Sequence, residues 1–404
     1  MSAPAMECQL NARDAWQWRE LGDICRTTSG GTPSRKNACY FEGSIPWVKS
    51  GELPDGPVQD ISESITEEAL NESSAKLFPA GTLLMALYGA TVGKLGVLTQ
   101  SAATNQAVCA IFPPPEVDTK FLFWFLRSKR SALIAEAVGG AQPNISQGVV
   151  RSLRIPVPSI GEQRAIVAEI EKQFSRLDEA VANLQRVKAN LKRYRAAVLD
   201  DAFDGEVSVC LGDVIESGPQ NGLYLPKSAY GSGTPILRID DYQTDWIRPV
   251  TELRQVAAAD AQVASWALRE GDLVINRVNS MTHLGKCARV PASLVGSLFE
   301  SNMMRLALKP LALPRYVELY LGSSRGRKRL TQTAKWAVNQ ASINQQDVLA
   351  TPVPLADIDR QRVVVAEVDR RLSIAREVEA EVDANLKRAQ ALRQAVLQRA
   401  FASP

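Results

Sequence analysis

Apolar side chains recur every three or four residues along 162–203, at Ile166, Ile170, Phe174, Leu177, Val181, Leu184, Val187, Leu191, Tyr194 and Val198. Steps of that size fall on one face of a helix. The stretch contains no Gly and no Pro and is filled with Ala, Leu, Glu, Lys, Arg and Gln, residues that give up little on entering a helix. Gly205 follows as a stop. At ~1.5 Å per residue the helix is roughly 60 Å long, against an average of about 11–12 residues for a core helix. Its stripe therefore needs a partner of similar length.

The sequence supplies one at 360–401, whose stripe is Val364, Val368, Leu372, Ala375, Val378, Val382, Leu386, Ala389, Leu392 and Val396. Gln163-Arg164 matches Gln361-Arg362, Ala197-Val198-Leu199 matches Ala395-Val396-Leu397, and Phe203 matches Phe401, all at an offset of 198. Asn-Leu-Lys-Arg, at 190–193 and 385–388, falls three residues out of that register. A Pro-Val-Pro precedes each copy, at 156–158 and 352–354. Repetition at this period is a duplicated domain plus helix rather than a solenoid.

The segments before the two helices repeat as well. Leu21-Gly22-Asp23-Ile24 matches Leu211-Gly212-Asp213-Val214, and each leads into a Gly- and Ser-rich loop, 29–34 and 217–222. Strand signals follow in pairs: 45–49 with 234–238, and 80–85 with 270–275. Gly93-Lys94 and Gly285-Lys286 come next, then amphipathic helices at Lys120–Ser128 and Arg315–Ser323. Each segment ends in an amide-rich loop, 142–147 and 339–345. The expected fold is α/β of the α+β kind. Its parts are a domain at 1–158, a long helix at 159–206, a second domain at 207–354 and a second long helix at 355–404. If the helices pair they must run antiparallel. That gives an internal pseudo-two-fold repeat with similar surfaces about 50–60 Å apart. The expected seam is Ile170, Leu177, Leu184 and Leu191 against Leu372, Leu386 and Leu392.

Composition narrows the function by exclusion. No apolar run approaches 18 residues, so no membrane span is expected. The N-terminus lacks the pattern of a secretion signal. Six scattered cysteines without a Cys-x-x-Cys read as reduced thiols of a cytoplasmic protein. Residues 1–150 carry 12 basic and 15 acidic side chains, whereas 207–345 carry 16 and 11. The second balance suits a nucleic-acid partner. One histidine, His283, and no His or Cys cluster leave no catalytic or metal-ligand constellation. Gly89–Lys94 is one residue too short for a phosphate loop, and Leu95 stands where Ser or Thr would hold magnesium. The Asn/Asp-Pro-Pro-Tyr/Phe tetrapeptide of amino-methyltransferases is absent. No reaction of its own is expected.

Ile45-Pro-Trp-Val-Lys49, Asn144-Ile-Ser-Gln147, Ile155-Pro-Val-Pro158 and Glu162-Gln-Arg164, set in a tandem domain–helix duplication, resemble the specificity subunit of a type I restriction–modification system along essentially the whole chain. The second copy departs in part, with Ser342-Ile-Asn-Gln345 and Asp359-Arg-Gln-Arg362. The resemblance implies two target-recognition domains, each reading half of a bipartite asymmetric site in double-stranded DNA. It implies helices that set the spacer and dock two modification (methyltransferase) subunits, with restriction subunits joining. S-adenosylmethionine, ATP and magnesium would belong to those partners, and none to this chain. Base edges are read by Arg, Lys, Asn, Gln and Ser/Thr on loops. The DNA contacts expected in the first domain are Thr32, Ser34, Arg35, Lys36, Lys49, Lys94, Asn144 and Gln147. In the second they are Gln220, Asn221, Tyr224, Lys227, Arg238, Arg277, Asn279, Lys286 and Lys335. The rival readings are a coiled-coil scaffold without sequence-selective DNA binding, and a nucleotide-dependent enzyme, which would bind ATP on titration.

Overall fold

The computed structural model describes residues 16–136, 144–203, 208–243, 246–280, 282–337 and 340–402. Gly205, Asn339, Gln142 and Pro143, named above as a helix stop and loop residues, lie outside them. The chain forms two compact units, one from Met1–Asn183 with Asn385–Pro404, the other from Leu184–Ala384.

In the first unit Leu83–Ala86 is apolar throughout and buried on both faces. Strand alternation divides its side chains. Leu83 and Met85 join a core containing the helix Thr119–Glu136, while Leu84 and Ala86 join a second core with Val48, Phe78 and Leu98. The sheet runs Arg26–Ser29, Val108–Phe112, Leu83–Ala86, Leu95–Leu98, Gly56–Val58. A second sheet pairs Ile45–Val48 in parallel with Ala102–Thr104.

The second unit repeats this plan. Its sheet runs Ile215–Asn221, Met303–Leu308, Leu273–Asn276, Cys287–Arg289, and its companion sheet pairs Tyr230–Leu237 in parallel with Leu298–Phe299. Leu273 and Ile275 face one core and Val274 the other. The turns agree as well: φ is 84° at both Gly81 and Gly271, and 75° and 72° at Gly93 and Gly285, values that favour glycine. Each Pro-Val-Pro has the same job. It closes a two-stranded ribbon, with Gln17–Glu20 in one unit and Ser208–Cys210 in the other.

The long helices are Ile160–Asp201 and Ile358–Ala400. Each starts on a fully buried glutamine. Gln163 donates to the carbonyls of Glu116 and Pro158, both at 2.9 Å, and accepts from the Asp118 amide at 2.7 Å. Gln361 does the same with Leu311 (2.9 Å), Ala356 (2.8 Å) and the Leu313 amide (2.8 Å). Within the first unit the start of one helix packs beside the end of the other. Val167, Ile170 and Phe174 share a core with Leu397 and Phe401, and Arg393 pairs with Asp178. Within the second unit Lys188 meets Asp383 at 2.7 Å and Arg195 meets Glu379 at 2.8 Å. Numbers rise on one helix as they fall on the other, so the pairing in each unit is antiparallel. The seam differs from the expected one in detail. Ile170 and Leu372 are buried and Leu177, Leu184, Leu191 and Leu386 half-buried, but Leu392 is 52% exposed. Ala375, Val382 and Ala389 of the same stripe, seven apart, are buried.

Candidate nucleic-acid interface

In the second unit the parallel pair Leu237–Phe299 brings the ends of two strands together, and the residues just beyond them open a groove of about 600 Å³. Tyr224, Lys227, Tyr230, Arg238 and Arg254 line it, with Glu300, Ser301 and Asn302 at its back. Tyr224 is 79% exposed. Glu300 is buried, and both its oxygens are used: one accepts from the Ile239 amide at 2.7 Å, the other from Arg238 Nε at 2.9 Å. Arg277 carries this surface onward. Its amide donates to the Asn302 carbonyl (2.8 Å) and its Nη1 to the Ser301 carbonyl (3.2 Å). Two residues later Asn279 lies in a small sheet with Gln340–Ser342 and Lys335–Ala337. Exposed Lys335 and Trp336 stand on that sheet. Lys227, Arg238 and Arg254 thus line the groove that holds the buried Glu300, and Arg277 bonds to its wall.

Two expected contacts of this unit are committed elsewhere, and a third is engaged only through its main chain. Lys286 is only 6% exposed. Its Nζ donates to the Ile239 carbonyl at 2.7 Å and sits 4.7 Å from the Tyr242 ring centre. Burial pushes its ammonium below the usual lysine range. It braces the floor beneath Arg238 rather than meeting a phosphate. Gln220 accepts from Arg305 and donates to the Ser265 carbonyl (3.2 Å). Asn221 is exposed, and its carbonyl accepts from Trp266 Nε1 at 3.0 Å.

In the first unit the corresponding strand ends, Val48 and Thr104, carry a different set. Lys49 lies at the position of Arg238, but its ammonium is 2.7 Å from Glu63 and 3.8 Å from Glu52. Arg35 also reaches Glu63 (2.7 Å) and stacks over Phe41, 4.1 Å from the ring centre. Two of the four cations expected here, Arg35 and Lys49, are therefore paired with carboxylates, in keeping with this segment's acidic excess. Thr32 donates to Gln106, while Ser34 and Lys36 are exposed on the same loop. Lys94 is half-buried after its glycine turn. Asn144 is exposed and bridges Tyr88 through the main chain. Gln147 is a brace: its Nε2 donates to Thr27 Oγ1 at 2.7 Å and its Oε1 accepts from Ser29 Oγ at 3.4 Å. Its counterpart Gln345 donates to the Pro219 carbonyl at 2.6 Å. Each glutamine ties an amide-rich loop to the first strand of its sheet.

Sequence reasoning missed Glu300, Ser301, Asn302 and Arg254. The first three follow the strand that pairs with 234–238, and only that pairing shows that they matter. Among the described residues no group of His, Cys, Asp and Glu could hold a metal ion, and no helix is long and apolar enough to cross a membrane.

Comparison with known proteins bears on the family and the fold. Residues 13–193 match the family described as type I restriction modification DNA specificity domain. The chain is 22% identical to the type I restriction enzyme EcoKI specificity subunit of Escherichia coli K12, over 96% of this chain and 89% of the relative. It is 32% identical to the EcoR124I/EcoR124II specificity subunit of Escherichia coli over 41% of this chain and 42% of that one. A chain solved in work on complex assembly and conformational transition of the type I R-M system superposes with a TM-score of 0.76 at 20% identity, covering 96% of this chain and 97% of that one. The crystal structure of the HsdS subunit from Thermoanaerobacter tengcongensis gives 0.56 at 20% identity, covering 96% of each. The structural likenesses establish the fold.

Proposed function

We propose, from the premise that this chain belongs to the specificity subunits of type I restriction–modification systems, that its two units each read one half of a bipartite, asymmetric DNA sequence. Specificity subunits are non-catalytic. The long helices act as spacer and as dock for two modification subunits, which methylate adenine, and restriction subunits complete the nuclease. The assembly works in the cytoplasm. Domains at 1–158 and 207–354, with helices at 159–206 and 355–404, are the working division.

The observation that carries this reading is the groove of the second unit, lined by Tyr224, Lys227, Arg238 and Arg254, with Arg277 bonded to the Ser301 carbonyl in its wall. Side chains of these kinds bind phosphates and base edges. The different side chains on the same frame in the first unit support two unlike half-sites. The test is the genome-wide map of methylated adenines written by the assembled methyltransferase. Exchanging 207–345 for the same segment of a relative should change one half of the motif. A map without a bipartite motif sinks the reading, and a change in both halves sinks the division of labour.

A further inference from the structure

We infer that Arg238 determines one base of the second unit's half-site, by presenting a free guanidinium fork to the edge of a guanine. This rests on the proposed function and names the group that does the reading.

An arginine reads guanine well only when its plane is fixed, because both N–H groups must meet O6 and N7 together. One contact holds the guanidinium here, and two more hold the carboxylate and the backbone on either side of it. Glu300 accepts from Nε at 2.9 Å, which occupies one edge of the guanidinium. The Glu300 carboxylate is held in turn by the Ile239 amide at 2.7 Å. The Arg238 amide donates to Asp241 at 3.0 Å, which fixes the backbone from which the side chain springs. Nη1 and Nη2 have no hydrogen-bond partner among the described residues, and they belong to a side chain that lines the groove. Glu300 leaves the bidentate edge unused, so Arg238 is presented rather than consumed.

The first unit provides the contrast. Lys49, at the matching register, has a single nitrogen and two carboxylates around it. An ammonium is a point donor and cannot make the planar two-bond contact. The backbone frame is shared, and the reading group is present in one copy only. Lys227 and Arg254, exposed at the groove's margins, lack any such anchor and suit phosphates.

The test uses the full-length chain assembled with its modification subunits. The wild-type methylation map first gives the motif. A second half without a G·C pair overturns the proposal. Otherwise, binding is measured to duplexes carrying each base pair at each position of that half, for the wild type, Arg238→Lys, the double variant Arg238→Met/Glu300→Gln and Arg254→Ala. The double variant avoids leaving a buried carboxylate unpaired. At one G·C position the wild type should prefer its own pair by about 5- to 150-fold in Kd, the range of one bidentate contact. Arg238→Lys and the double variant should lose that preference at that position alone. Arg254→Ala should weaken all duplexes alike. Retention of the preference in both Arg238 variants, or a loss of affinity that is equal for every sequence, overturns the assignment. Either result leaves the bipartite reading standing, because that depends on the wild-type map.

Discussion

At the scale of single residues, the most constrained side chains are the two glutamines that start the long helices. Each amide is fully buried and satisfied by three main-chain partners. A leucine of similar size would leave those groups unmade, at about 1–3 kcal/mol each. Gln163→Leu and Gln361→Leu should each lower the thermal midpoint by at least several degrees, and Glu at the same places should not rescue it, because a carboxylate cannot donate to two carbonyls. Calorimetry of the two variants checks this. Lys286 gives a prediction with a sign. Its pKa is lowered in the folded state, so between that value and the unfolded one of about 10.4 the unfolded chain binds more protons. Wild-type stability should therefore gain on that of Lys286→Met as pH rises toward 10. Denaturant unfolding of both proteins at several pH values measures the difference, and a gap that stays constant would mean that Lys286 is not buried as a charge. These residues also mark how far the site was legible. Loop residues could be found by type, and Tyr224, Lys227 and Arg238 do line one groove. Whether a cation is free depends on carboxylates distant in sequence, such as Glu63 for Lys49. No pattern along the chain reports that.

At the scale of elements, much was readable because duplication provides every signal twice. Matching positive-φ glycines, paired Pro-Val-Pro strands and buried glutamines are each weak alone and firm as a pair. The seam was less readable. The stripe contained the buried Ala375, Val382 and Ala389, but the seam was picked from its leucines and so took in exposed Leu392. Mid-helix pairing in the second unit also relies on Lys188–Asp383 and Arg195–Glu379, which an apolar stripe does not announce. Leu372 is 1% exposed in the core that holds Val198, Phe203 and Tyr316. Leu372→Asp would bury a carboxylate without a partner, at several kcal/mol, and should abolish cooperative folding of that unit. Leu392→Asp should change the thermal midpoint by no more than about a degree or two. Circular dichroism melts of the pair decide between the two seams, and the reverse order of damage would return Leu392 to the interface.

At the scale of the whole molecule, the two units are built differently despite their likeness. One is a single run, Leu184–Ala384, and the other joins the beginning of the chain to its last twenty residues. Phe401 packs edge-on against Phe121 and Phe125, at 5.5 and 5.4 Å, as Phe203 does against Tyr316 and Tyr320, at 5.1 and 5.4 Å. Removing Asn385–Pro404 should therefore loosen residues 119–136 and spare residues 314–330. Hydrogen exchange on the shortened chain should show faster exchange in the first segment only. Equal protection in both would mean that the tail is dispensable. The same feature sets a timetable for synthesis. Domains ordinarily fold from the N-terminus as the ribosome advances at about 5–20 residues per second. Here the sequence translated second is the first whose residues are all available. The earlier unit waits, with its phenylalanine pair open, until Asn385–Pro404 has been translated. A nonsense or frameshift lesion just before the codon of Asn385 would thus damage the unit built mainly from residues 1–183.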